Sequence, residues 1–175
     1  MDTKAKSSRI EPLLFLYDLH TQLFPNVITG ITHEDAHKRL DSKANHVAWI
    51  AGTLVQQRVD IINDLGGKAE QQAKDLFSNF QGIKDDVTYP ELEIYNKDWQ
   101  MVSGEARKLL AEITDEKLDS IYKVPGMPEM PEMPEMDMPF FDMIGYSIHR
   151  ESYLIGQIGL WRRLLGYPAM KYPGM

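Results

Sequence analysis

Apolar residues recur every three or four positions through most of this chain, the period of a helix with one buried face. Between Ile10 and Phe24 the stripe is Leu13, Leu14, Leu16, Tyr17, Leu19, Leu23 and Phe24, and Pro25 is expected to end or kink that helix. From Ser42 to Leu65 it is Val47, Trp49, Ile50, Leu54, Val59, Ile61, Ile62 and Leu65, with Gly66-Gly67 as the stop. Pro90 suits a first helical turn, so a third long helix is predicted from Leu92 to Ile113, with Gly104 as a point of close helix approach. The fourth runs from Phe140 to Leu165 and stops at Gly166, with Pro168 beyond. Thr32 and Asp35 have the spacing of a capping box, so one or two helical turns follow Thr32. Short helices are also expected over 69–80 and 115–122, with loop from Gly82 to Tyr89. Strand-like alternation is missing, and the pattern predicts an all-α four-helix bundle with short extra helices in its connections.

Length and composition add limits. A chain of 175 residues suits a single domain spanning 1–175. The net charge of −7 argues against a nucleic-acid partner, because phosphate binding needs a basic surface. Without cysteine there is no disulfide, thiolate metal site or sulfur nucleophile. The polar start and the lack of any run of about 18 apolar residues predict no signal peptide and no membrane partner, hence a cytoplasmic, bacterial-type protein.

A Met/Pro-rich loop occupies about 124–139, where Met-Pro-Glu repeats put Met127, Met130, Met133 and Met136 three apart. In polyproline II that period aligns them on one ridge, about 9 Å between neighbours, which is too far for one soft metal ion. A stiff spacer whose methionine ridge packs on apolar surface is the simpler expectation.

Two segments carry a family resemblance. Arg150-Glu-Ser-Tyr-Leu-Ile-Gly-Gln157, followed by Arg162-Arg163 and Gly166, resembles the last core helix of the DinB-like (DinB/YfiT) four-helix-bundle superfamily, His-x-x-Tyr-His-x-Gly-Gln. Asn45-His-Val-Ala-Trp-Ile-Ala-Gly-Thr-Leu54 resembles that family's second-helix segment, Asn-x-x-x-Trp-x-x-Gly-His-Leu. The resemblance implies a DinB-like bundle, a homodimer in many members, and a three-histidine site for a divalent metal. In thiol transferases of the family such a metal leaves positions open for a thiol or water. The three ligand positions here hold Thr53, Arg150 and Leu154. A hydroxyl is a poor ligand, an alkyl group is none, and a fixed guanidinium opposes a cation. No cofactor is therefore expected; Ni, Zn or Fe would require a rebuilt site.

The histidines offer little for rebuilding. His149 points away from the face of Arg150, and His46 sits two turns from Thr53. His20 lies in the first helix. His33 and His37 have i, i+4 spacing but flank acidic Glu34-Asp35. Ser103, Ser147 and Ser152 lack a nucleophile context, and Glu91 and Glu93 diverge. What remains is a candidate pocket, non-catalytic by expectation. Arg150, Leu154, Gln157 and Trp161 form one helical stripe, and Trp49, Thr53 and Gln56 form its counterpart. A buried guanidinium must be paired. Asp60, Glu151 and Asp18 are the internal choices for Arg150, and a small anionic ligand is the external one. The alternative is a metal-dependent thiol S-transferase or hydrolase with a rebuilt site.

Overall fold

A computed structural model of the chain describes residues 4–124 and 137–174, and the repeats within 125–136 lie outside the described residues. Four long helices carry the architecture: α1 (Glu11–Ile28), α3 (Val47–Asp64), α4 (Leu92–Ala111) and α6 (Phe140–Leu164). The short helices α2 (His33–Ala36) and α5 (Asp115–Asp119) sit in the connections. Each long helix turns an apolar stripe inward. The core formed there includes Tyr17, Phe24, Ile50, Leu54, Ile62, Tyr95, Trp99 and Ile148.

Local chemistry sets the ends. Thr32 caps α2 by accepting the Asp35 N–H, as its spacing predicts. The α3 cap is His46, whose Nδ1 accepts the Trp49 N–H at 3.1 Å. Gly66 and Gly166 follow α3 and α6 with φ of 86° and 84°, a region that favours glycine. Pro25 does not end α1, which continues to Ile28. Proline at 25 deprives the Thr21 carbonyl of its helical donor. The Trp99 indole of α4 supplies one instead, at 3.2 Å.

Side-chain contacts fix the helix directions. α1 meets α6 through His20–Glu151 and Val27–Arg162, so the two run parallel. It meets α4 through Tyr17–Ser103 and Thr21–Trp99, antiparallel. α3 opposes α6 through Arg58–Glu151 and Asn45–Trp161, again antiparallel. α3 and α4 are therefore parallel neighbours, and around the bundle the order is α1, α4, α3, α6. Parallel neighbours need a return path along the bundle. Residues 65–91 provide it.

Three further features depart from the sequence expectations. The 69–80 stretch is not one helix but two 3-10 turns, Lys74–Leu76 and Ser78–Phe80, with Asn79 inside the second at φ 58°. The helix predicted over 115–122 stops at Asp119; β1 (Ile121–Lys123) follows and pairs antiparallel with β2 (Asp137–Pro139), Tyr122 opposite Met138. This ladder clasps the base of the methionine segment and is too short to show alternation. Close approach occurs at Gly52, not Gly104. A Cβ at 104 would meet nothing within 4 Å, whereas one at 52 would lie 2.1 Å from the Phe77 ring.

Candidate functional site

Of the candidate residues, Arg150 is tied across the seam between α3 and α6, and its partner there is Gln57. Gln57 bridges the two helices: its Nε2 donates to the Ser147 carbonyl at 2.6 Å and its Oε1 accepts from Arg150 at 3.0 Å. Arg150 is half-buried. Burial lowers its proton affinity, against the opposing pull of Tyr146 and Asp60. No carboxylate among the described residues lies within 4 Å of it. Of the three internal candidates, Glu151 is bound to Arg58 and Asp18 to Arg107. Asp60 accepts from Gln56 at 2.8 Å; burial raises its pKa, and the neighbouring Asp64 adds to the rise.

Two further candidates, four residues apart on α3, carry unmatched donors. Thr53 is 7% exposed, and its hydroxyl has no hydrogen-bond partner among the described residues; the buried Trp49 Nε1 is likewise unmatched. Leu154 is buried, and half-buried Gln157 lies seven residues from Arg150 on the same face of α6. Two candidates look elsewhere. Trp161 Nε1 donates to the Asn45 carbonyl at 2.9 Å, tying the start of the second motif to the end of the first. Gln56 faces the 65–91 connection, where its Oε1 accepts from Gln71 at 2.7 Å. Gln57, not Gln56, is the glutamine that faces α6.

Thr53, Arg150 and Leu154 do not fit a divalent cation. One offers a hydroxyl, one a guanidinium that already donates to Gln57, and one only methyl groups.

The histidines form a separate cluster. His33, His37 and His46 stack in series, with ring centroids 4.4 and 5.2 Å apart. Their nitrogens are mostly engaged. His37 Nδ1 donates to the His33 carbonyl and its Nε2 accepts the Tyr89 N–H, which fixes a neutral tautomer. His46 uses Nδ1 as the α3 cap, and burial pushes its pKa down to about 4. His33 Nδ1 lies 3.2 Å from Glu91 but outside hydrogen-bonding geometry. Among the described residues no three His, Asp or Glu side chains are disposed to hold a metal. His20 is buried against Glu151, and His149 is exposed.

At the centre of the bundle lies a polar network that the candidate pocket does not include. Arg58 has no exposed surface and is sandwiched between the rings of Tyr17 and Trp99, 3.8 and 3.5 Å from their centroids. It bonds both oxygens of the fully buried Glu151, the hydroxyls of Thr21 and Ser103, and the Tyr17 carbonyl. All five of its donors are thereby used. A sequence signal existed. Arg58 stands four after Leu54 and four before Ile62, and Glu151 stands three after Ile148 and four before Ile155, each on a buried stripe.

An up-down-down-up bundle with this pair of antiparallel motif helices has the DinB-like fold. The chain is similar to the crystal structure of a DinB-like protein from Bacillus cereus ATCC 10987: TM-score 0.66, 18% sequence identity, covering 95% of this chain and 97% of that one. No family model and no curated protein matches the sequence. No helix among the described residues is long and apolar enough to cross a membrane.

Proposed function

We propose that this chain is a metal-free, non-catalytic DinB-like protein that binds a small anion in the α3–α6 seam. The observation that carries the reading is the state of Arg150. Arg58 uses all five of its donors on protein acceptors and Arg162 donates to three backbone carbonyls, whereas Arg150, half-buried, reaches only one neutral amide oxygen among the described residues. Thr53 Oγ1 and Trp49 Nε1, at four-residue spacings along α3 from Gln57, add buried hydrogen-bond donors, and neither has a partner among the described residues. Such a set favours an acceptor-rich ligand, a carboxylate or phosphate held in fork geometry by the guanidinium. A bound metal would need the opposite chemistry.

The test is thermal unfolding with a panel of small carboxylates and phosphates at constant ionic strength. At least one anion should raise the midpoint of the wild type, and Arg150→Met should abolish the rise without loss of fold. A flat response across the panel, beyond salt controls, would remove the anion reading. Elemental analysis of untagged protein checks the metal-free part: stoichiometric Ni, Zn or Fe would favour the thiol-transferase alternative.

A further inference from the structure

Two histidine nitrogens hold the end of the 65–91 connection and the start of α3 in place. His37 Nε2 accepts the Tyr89 N–H at 3.2 Å, and His46 Nδ1 accepts the Trp49 N–H at 3.1 Å. The two rings lie 5.2 Å apart, and the buried Tyr89 ring packs edge-on against His46 at 5.0 Å. Three stretches of chain meet at this pair of acceptors: the 33–46 segment, the first turn of α3, and the last residues before α4. We infer that the pair is a proton-operated latch, closed while both imidazoles are neutral and released by two protons taken up together.

In both rings the proton and the backbone bond exclude each other. His37 already donates from Nδ1 to the His33 carbonyl at 2.7 Å, so an added proton must go to Nε2. There it would turn an acceptor into a donor and aim it at the Tyr89 N–H. His46 accepts at Nδ1, so its own hydrogen sits on Nε2 and an added proton would break the bond to Trp49. Burial first, and then the neighbouring His37, push the His46 pKa down to about 4. Once released, both imidazoles are free to bind protons near the ordinary value of about 6.5. The closed latch holds neither proton and the open one binds both, so falling pH favours opening. The charged groups that act on the pair are few. Arg39 opposes a proton on His46 and Asp85 favours it, while Asp86 acts on Tyr89. His33 stands outside the pair, because its Nδ1 faces Glu91 at 3.2 Å and a proton there gains a partner. The turn between the two histidines is itself biased towards release. Leu40 and Asp41 have φ of 46° and 55°, a region that a leucine enters only at a cost.

The experiment is amide hydrogen exchange by NMR on the full chain, from about pH 7.5 to about 4.5, with rates corrected for the intrinsic pH dependence. Protection of the Tyr89 and Trp49 amides should fall together, by about a hundredfold per pH unit below about pH 6, the slope of two protons. Ile62, in the core part of α3, should stay more protected throughout, which separates release of the latch from unfolding of the bundle. Glutamine at 37 and asparagine at 46 can each keep an accepting oxygen near the lost nitrogen, and neither titrates. His37→Gln or His46→Asn alone should reduce the slope to about tenfold per unit. The double variant should lose the slope and keep the protection. The ring resonances give a check that needs no variant: both His37 and His46 must titrate over the range in which the two amides lose protection. A wild-type slope of one proton or none overturns the proposal, as does a two-proton slope that survives in the double variant. Equal protection of Tyr89, Trp49 and Ile62 at every pH also overturns it, because the protons would then act on global unfolding. These outcomes do not depend on whether an anion binds in the seam.

Discussion

The Arg58 guanidinium and the Glu151 carboxylate face each other at the bundle centre through hydrogen bonds of 2.7 and 2.9 Å, and neither residue has exposed surface. Removing one partner strands the other charge where water cannot reach it. Glu151→Gln should therefore cost about 3–5 kcal/mol of unfolding free energy, and the double change to Met at both positions should recover much of that loss. Denaturant titrations of the two singles and the double measure this directly. Burial alone would raise the Glu151 pKa, but Arg58 and His20 outweigh it, and the folded value lies below the ordinary one. The resulting stability is fully present above the unfolded carboxyl pKa of about 4.3 and is lost as pH falls through the lower folded value. Glu151→Gln should accordingly flatten the acid limb of the stability curve.

His46 caps α3 only while its Nδ1 is unprotonated. Its folded pKa is about 4, lowered chiefly by burial. The unfolded chain takes up this proton near pH 6.5 and the folded chain does not, so stability declines as pH falls from about 6.5 towards 4. His46→Asn keeps a capping oxygen and removes the titration. Its stability should depend less on pH across that window, while His46→Ala should lose about 1 kcal/mol at pH 8, where the imidazole is neutral in both states. An unchanged slope in the Asn variant would detach His46 from the acid response.

Gly52 is required by the Phe77 ring, which lies where its Cβ would be. Gly52→Ala should destabilise by about 1–3 kcal/mol despite alanine's better helix propensity. Combining it with Phe77→Leu should cost less than the two single changes added together. Equal costs would mean the 65–91 connection shifts freely.

Arg150 gains one hydrogen bond to Gln57 and bears the cost of a half-buried charge. Arg150→Met should change stability by no more than about 1 kcal/mol, in contrast to Arg58→Met. A loss as large as that of Arg58 would place Arg150 among the groups that hold the fold together.

The long helices were legible because their stripes are long and regular: α6 was predicted as Phe140–Leu165 and runs Phe140–Leu164. Pro25 misled because the donor that satisfies Thr21 comes from Trp99, distant in sequence. Gln56 and Gln57 stand three and four residues after Thr53, so both lie near its face of the helix, and only the packing of α3 among its neighbours decides that Gln57 meets α6 and Gln56 meets Gln71. Arg58 and Glu151 were visible as charges on buried stripes, yet their pairing depends on helix order, which periodicity does not encode.

That order has a kinetic consequence. No two consecutive long helices form an adjacent antiparallel hairpin: α1 to α3 and α4 to α6 cross the bundle, and α3 to α4 is parallel. Arg58 collects its partners from α1, α4 and α6. No pair of consecutive helices can assemble early as a stable fragment that satisfies this guanidinium. Folding must close long loops before that reward arrives, which slows it relative to a simple up-down bundle and makes it all-or-none. A chain still emerging from a ribosome would hold an unmatched cation in its apolar surface until Glu151 has been made.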